Sequence, residues 1–365
     1  MPSIAIIGTR GYPSYYGGFE TAVRKIAPHL VSVGWDVTVY GRQGTTRPDD
    51  QDADARVATR VTRGLETRNL STLSYGFTSS LDAAARHPDV ALVFNVANGY
   101  YLPALKARGI PTLVNVDGIE WERAKWSRLG KRVFRTGAQF AARWASDLVF
   151  DARAIESYWY ETFGARGTFI PYGGDIPAAL PIPNGHTHRG YVLVVARFVP
   201  ENSVPEFFHA VPAIAARHPV VIVGNTGYGG ALDDAARELA AANPSVSWLG
   251  HVSNDALLLA LWQHAGVYFH GHSVGGTNPA LVQAMAAGAP VLARDTIYNR
   301  EVLGQTGHFV AAEPEAISRT TLEMMDSGTA LDESSRANFE RAKEHYSWTR
   351  VCNDYERALH ELLRS

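Results

Sequence analysis

The hydrophobic pattern opens with Ile4-Ala5-Ile6-Ile7, an unbroken apolar run stopped by Gly8, which predicts a short parallel strand buried on both faces. Over residues 19–33 the period changes: Val23, Ile26, Ala27, Leu30 and Val33 recur at helical spacing, and Gly34 ends them. The alternation continues, with strands expected over 36–40, 90–94, 112–116 and 147–150 and a helix over 101–107. That rhythm predicts a parallel, doubly wound sheet. Between 170 and 190, Pro171, Gly173, Gly174, Pro177, Pro181, Pro183 and Gly185 break every period and predict a linker. The rhythm restarts over 191–196, 220–223, 266–269 and 290–293, a second Rossmann-like sheet, and the last helical segment runs over 348–363. The expected division is a first domain over 1–172, a second over 173–347 and a terminal helix over 348–365. Ligands of open α/β sheets bind at the carboxyl ends of the strands, so the expected site is a central cleft faced by both domains.

Composition narrows the function classes. A hydrophobic fraction of 46% and a charged fraction of 19% belong to a folded globular chain. The 34 Lys and Arg against 36 Asp and Glu leave a net charge of -2, so no global positive field exists to hold nucleic acid. One cysteine, Cys352, forms no internal disulfide and no multi-cysteine zinc site, and no apolar run approaches the ~20 residues of a membrane span. A cytoplasmic location is the expectation.

Two glycine-rich loops carry the candidate chemistry. Gly8-Thr9-Arg10-Gly11 and Tyr15-Tyr16-Gly17-Gly18-Phe19-Glu20-Thr21 lie between the first strand and the first helix, where backbone amides approach a phosphate closely; the alternative is an ordinary tight turn. The Gly-x-Gly-x-x-Gly dinucleotide fingerprint is not met. In the second half, Gly275-Gly276 precede Thr277 or Asn278 as helix cap and Pro279 in the first turn, a second phosphate cradle. Arg197, directly after a strand, is either a bidentate diphosphate ligand or a surface salt bridge. Asp117 and Glu120 follow the strand over 112–116, where α/β catalytic groups sit, and either also reads as a solvated loop carboxylate. His270 and His272 lack nearby carboxylates and read as hydrogen-bonding imidazoles rather than metal ligands; His87, His209 and His218 receive no role.

Taken together, Gly8-Thr9-Arg10-Gly11 with Tyr16-Gly17-Gly18-Phe19-Glu20-Thr21, Asp117-Gly118-Ile119-Glu120-Trp121-Glu122-Arg123-Ala124-Lys125-Trp126, and His270-Gly271-His272-Ser273-Val274-Gly275-Gly276-Thr277-Asn278-Pro279 resemble the bacterial rhamnosyltransferase-like branch of the retaining GT-B glycosyltransferases of the family 4 type. The resemblance spans nearly the whole chain. It implies two Rossmann-like domains facing a central cleft, a final helix crossing back to the first domain, and transfer of a sugar from a nucleotide diphosphate donor, commonly dTDP-rhamnose, to a lipid-linked acceptor in cell-surface polysaccharide synthesis. It further implies that Gly17 and Gly18 contact the donor diphosphate through their amides, that Arg197 is the diphosphate arginine, and that Gly275, Gly276, Thr277, Asn278 and Gln283 line the donor site. The superfamily's lysine position holds Asn202, and its two glutamate positions hold Gly275 and Gln283. A glutamine still accepts from and donates to a ribose hydroxyl.

The expected mechanism stabilises the leaving diphosphate with Arg197, the Gly17-Gly18 amides and the helix start at Thr277 and Asn278, with no cofactor or metal. The resemblance implies that Asp117 positions the acceptor or shields developing positive charge. Two alternatives stay open: a catalytically weak nucleotide-sugar-binding partner in a glycan assembly complex, and a UDP-sugar epimerase. Residues 121–144 carry Arg123, Lys125, Arg128, Lys131, Arg132, Arg135 and Arg143 against Glu122, interleaved with Trp121, Trp126, Leu129, Val133, Phe134, Phe140 and Trp144. This stretch is either a core helix with a solvated basic face or a peripheral docking surface for an anionic membrane.

Overall fold

The computed structural model describes residues 1–15, 17–46, 50, 53–67, 70–123 and 126–364. Tyr16, Ala124 and Lys125 of the sequence motifs lie outside the described residues. The chain divides into two compact units, Met1–Pro171 with Trp348–Ser365, and Tyr172–Ser347.

In chain order the first unit holds β1 (Ser3–Ile7), α1 (Gly18–Ser32), β2 (Asp36–Gly41), β3 (Ala58–Val61), α2 (Ser71–Arg86), β4 (Val90–Phe94), α3 (Leu102–Ala107), β5 (Thr112–Asn115), α4 (Arg128–Trp144), β6 (Asp147–Phe150), α5 (Arg153–Phe163) and β7 (Thr168–Phe169). Among the described residues these strands form one seven-stranded parallel sheet, ordered β3-β2-β1-β4-β5-β6-β7. The chain winds outward from β1 through β2 and β3, then returns to β4 on the other side of β1. Strand order therefore reverses between β1 and β4, the place where open sheets leave room for a ligand. Gly8 ends β1 there with φ of +96°, and a Cβ on it would lie 2.2 Å from the Phe94 carbonyl oxygen, so no larger residue fits.

The second unit repeats the plan with β8 (Val192–Val195), α6 (Val204–Ala215), β9 (Val220–Val223), α7 (Ala231–Ala242), β10 (Val246–Gly250), α8 (Asp255–His264), β11 (Val267–His270), α9 (Pro279–Ala286), β12 (Val291–Arg294), α10 (Ile297–Leu303), β13 (His308–Val310), α11 (Pro314–Met325) and α12 (Gly328–His345). Among the described residues its six-stranded parallel sheet runs β10-β9-β8-β11-β12-β13 and reverses between β8 and β11. Both faces of β8 are covered: Val192 and Val194 pack with Phe207 and Phe269, while Leu193 packs with Tyr268 and Leu281. Such two-sided burial is why central strands read as unbroken apolar runs.

The last helix, α13 (Trp348–Arg364), belongs to the first unit, where it packs on α1 and β5. Trp348, Val351, Cys352, Tyr355, Ala358 and Leu359 recur at helical spacing and form its buried stripe. Among the described residues no helix is long and apolar enough to cross a membrane.

Candidate functional site

In the first unit, Gly17 caps α1 with extended backbone and no side-chain hydrogen bond, and Gly18 is the first residue of the helix. The nearby anion is internal. Buried Glu20 sits in the first turn and accepts from the Arg10 amide at 3.0 Å, and its Oε2 would lie 3.5 Å from a Cβ placed on Gly17. A carboxylate in the first turn already answers the positive end of the helix.

Asp117 follows β5 at φ of +60°, a conformation that favours glycine and is tolerated by aspartate. Buried Asn115 holds it there: its Oδ1 accepts from the Asp117 amide at 3.0 Å, and its Nδ2 donates to the Tyr355 hydroxyl at 2.6 Å. Burial pushes the Tyr355 phenol far above its ordinary range, so it stays neutral. The α13 helix thus positions an aspartate more than 200 residues earlier in the chain, through the pair Asn115 and Tyr355. Asp117 itself is half-buried.

Glu120, expected as a catalytic group or a solvated loop carboxylate, is not solvated. It is 5% exposed, pairs with Arg123 Nε at 2.6 Å and accepts from Trp126 Nε1 at 2.8 Å. Both contacts brace the loop that contains it. The aromatic stretch departs too: α4 starts at Arg128 behind Ser127, whose side chain accepts from the Gly130 amide. Trp121 lies outside that helix, buried against Trp159 and Phe163.

In the second unit three loops meet at the carboxyl ends of β8, β11 and β12. Exposed Arg197 follows β8, and its guanidinium has no partner among the described residues. Buried Asn202 donates from Nδ2 to the Arg197 carbonyl at 2.9 Å, so the residue at the superfamily's lysine position holds the arginine's backbone. The Asn202 carbonyl lies against Gly271, where a Cβ would approach to 2.3 Å, and Ser273 donates from its amide and hydroxyl to the Glu201 carbonyl. Ser203 donates to the Gly271 carbonyl at 2.8 Å.

The glycine loop continues with Gly275 at φ of +98°, Gly276, and buried Thr277. Asn278 caps α9, accepting from the Ala280 amide at 3.0 Å, with Pro279 in the first turn as expected. No acidic residue occupies that first turn. Gln283 is not turned to an open surface: Oε1 accepts from the Asp175 amide at 3.0 Å and Nε2 donates to the Asp175 carbonyl at 2.7 Å. An amide makes this two-way clasp and a carboxylate, which only accepts, does not.

His270 is 1% exposed and shares a hydrogen bond with the Tyr268 hydroxyl through Nδ1 at 3.0 Å. Its ring lies parallel to that of His272, with centroids 4.4 Å apart. Burial first and the neighbouring His272 second hold its pKa well below the ordinary histidine value, so it is neutral.

Residues 17–173 match the model of the glycosyl transferase 4-like domain, and residues 189–327 match that of the glycosyl transferases group 1. The chain is a tandem of two glycosyltransferase domains. Among solved structures, the glycosyltransferase is similar in fold to sucrose-phosphate synthase from Thermosynechococcus elongatus, at 16% identity and a TM-score of 0.82 over 100% of each chain. HepE of Anabaena in complex with UDP matches at 15% identity and 0.76 over 99% of this chain and 100% of that one. WaaG, a glycosyltransferase involved in lipopolysaccharide biosynthesis, matches at 13% identity and 0.73 over 97% and 99%. These likenesses establish the GT-B fold of two Rossmann-like domains. No curated protein matches the chain at the sequence level.

Sequence reasoning missed Asn115, Tyr355, Ser203 and Arg294 in these domains. Arg294 carried a usable signal, because it ends β12 much as Arg197 follows β8. The other three gain their positions only from long-range hydrogen bonds.

Proposed function

We propose that this glycosyltransferase moves rhamnose from dTDP-rhamnose to a lipid-linked saccharide acceptor in cell-surface polysaccharide synthesis, with retention at the anomeric carbon and without a metal ion or cofactor. The observation that carries the donor class is the exposed Arg197 guanidinium, unpartnered among the described residues, on a loop stitched to Gly271 and Ser273. The structures of HepE with UDP and with UDP-glucose support a nucleotide diphosphate sugar.

In the proposed step the bond from the sugar's anomeric carbon to the diphosphate oxygen breaks, and the acceptor oxygen bonds to that carbon. The acceptor proton passes to the leaving phosphate. Arg197, the amides of Gly275 and Gly276 and the start of α9 at Thr277 and Asn278 stabilise the growing negative charge; Gly17 and Gly18 are assigned further amide contacts. Asp117, held at its strained backbone by Asn115, positions the acceptor. Thermal unfolding with dTDP, UDP and GDP tests the donor, since ligand at 100 times its dissociation constant stabilises by about 2.7 kcal/mol. A selective rise with GDP overturns the rhamnosyl reading.

A peripheral membrane site accompanies this proposal. On α4, Arg128, Arg132, Arg135 and Arg143 are exposed along one stripe, while Phe134, Gly137, Ala138 and Ala141 face inward. Leu129 is 71% exposed beside them. Arg128, Arg132 and Arg135 have no ion-pair partner among the described residues. Such a stripe gains about 1 kcal/mol per cation near an anionic surface. Cosedimentation with anionic vesicles, weakened in Lys131→Glu, Arg132→Glu, Arg135→Glu while nucleotide binding persists, is the expected result; equal binding to neutral vesicles at low salt removes the membrane from the proposal.

One observation favours a second reading, a donor-binding partner with weak transferase activity: the Gln283 amide is engaged with Asp175. Donor hydrolysis in the absence of acceptor separates a transferase from a pure binder.

A further inference from the structure

Arg294 is a half-buried cation with no carboxylate partner among the described residues. It ends β12, and among the described residues its side chain makes a single, neutral contact, Nη1 donating to the Ser203 hydroxyl at 2.8 Å. The carboxylate beside it in sequence is taken: Asp295 binds Arg300 through both oxygens, at 2.6 and 2.7 Å. A guanidinium carries five N–H donors, so most of this one's donors have no protein partner among the described residues.

Its surroundings are fixed from three sides. Ser203 donates its own proton to the Gly271 carbonyl, which leaves a lone pair for Arg294. Buried Asn299 donates to the Arg294 carbonyl and to the His272 carbonyl, both at 2.9 Å. Ser203 follows Asn202, whose side chain holds the Arg197 carbonyl. A chain of contacts thus runs from Arg294 through Ser203 and Asn202 to the backbone of Arg197, with the glycine loop between β11 and α9 joined to it. Two guanidinium groups without counter-ions among the described residues, Arg197 on the loop after β8 and Arg294 at the last position of β12, stand at the carboxyl ends of one parallel sheet. The half-desolvated charge of Arg294 calls for an anion.

We propose that Arg294 supplies the second cation for the donor's diphosphate, carrying the charge that Asn202 does not. The inference rests on the reading of the second unit as the nucleotide diphosphate site and adds to it a residue that the sequence motifs do not mark. Arg197 and Arg294 together suit a group with two charged phosphates, and the contribution of Arg294 scales with the number of phosphates bound.

The test is calorimetric binding of uridine, UMP and UDP, with thymidine, TMP and dTDP in parallel, to the wild-type chain and to Arg294→Ala, Arg294→Gln and Ser203→Ala, after circular dichroism has confirmed folding. Arg294→Gln and Ser203→Ala keep the test open if the alanine variant fails to fold. The expected result is a loss of about tenfold or more for the nucleoside diphosphate in both Arg294 variants. The loss is smaller for the monophosphate and absent for the nucleoside, and Ser203→Ala shows a lesser loss of the same order of ligands. An equal loss for nucleoside and diphosphate marks Arg294 as a tie between loops and overturns the proposal, as does undiminished diphosphate binding. If the wild-type chain binds neither UDP nor dTDP, the reading of the site falls together with this inference; if it binds one of them and Arg294 does not matter, only this inference falls.

Discussion

Two helix starts in this chain share a local pattern, a pair of small residues ahead of a helix at the carboxyl end of a parallel strand, yet they differ in charge. At α1 the Gly17 cap has no side-chain hydrogen bond, and Glu20 in the first turn is buried and negative. At α9 the cap is the neutral Asn278, the first turn has no acid, and Arg197 after β8 and Arg294 at the end of β12 have no counter-ion among the described residues. The first start already contains its anion, whereas the second lacks one. Glycines ahead of a helix therefore do not identify a phosphate site by themselves. The sign of the nearest fixed charge sets how strongly such a start attracts a phosphate, so the contacts assigned to Gly17 and Gly18 are the weaker pair.

Variants that break this asymmetry differ in expected size. Arg197→Ala is expected to lower the second-order rate constant for donor turnover by roughly 10²- to 10³-fold, the effect of removing one fixed donor from a developing anion. Initial rates with excess acceptor measure it, and retention of more than a third of the activity would show that Arg197 is only a surface cation. Asp117→Asn keeps the backbone held by Asn115 but removes the charge, and an effect of about 10²-fold is expected. Turnover within about threefold of wild type would remove Asp117 from the reaction.

A third test concerns the buried charge balance of the second site. His270 is neutral when folded, with its pKa held down by burial, whereas an unfolded histidine titrates near 6.5. Below that pH the unfolded chain binds a proton that the folded chain refuses. Stability contributed above about pH 6.5 is therefore lost as pH falls, at up to about 1.4 kcal/mol per unit. Denaturant unfolding at pH 7.0, 6.0 and 5.0 should show this slope in the wild type and a flatter one in His270→Asn; identical slopes would mean that other groups govern the acid side.

The smallest effects lie at the caps. Asn278→Ala is expected to cost about 1 kcal/mol of stability, read as a lower denaturant midpoint. Gly17→Ser should gain a few tenths of a kcal/mol by giving α1 the side-chain cap it lacks. The extended backbone at Gly17 accepts any residue, and its nearest neighbour, Glu20 Oε2 at 3.5 Å, leaves room for a Cβ. A midpoint lowered by Gly17→Ser would show that the loop tolerates no side chain there.

The inner strands were legible in the hydrophobic pattern and the edge strands were not. The strands at inner positions of both sheets lie where apolar runs predicted them, from β1 and β4 to β8 and β11. β3, β7, β10 and β13, which close the edges, gave no such run. An inner strand is covered on both faces and must be apolar throughout, whereas an edge such as Ala58–Val61 is largely exposed and takes Thr and Arg without penalty. The site divides similarly. Arg197 and the Asn278 cap follow from local order along the chain, because a strand end and a helix start are visible in sequence.

What the sequence by itself determined was the α/β rhythm, the placement of its glycine loops and caps, and the absence of a global charge, since each depends on neighbours within a few residues. Tertiary structure alone decided which polar groups remain available. Glu120 pairs with Arg123 and Trp126, Gln283 clasps Asp175, and Tyr355 reaches Asn115 from the far end of the chain. Among the described residues Arg294 has no counter-ion, since Arg300 has already taken Asp295. A hydrogen bond or ion pair forms between groups that packing brings within about 3 Å, and packing joins residues at any separation along the chain.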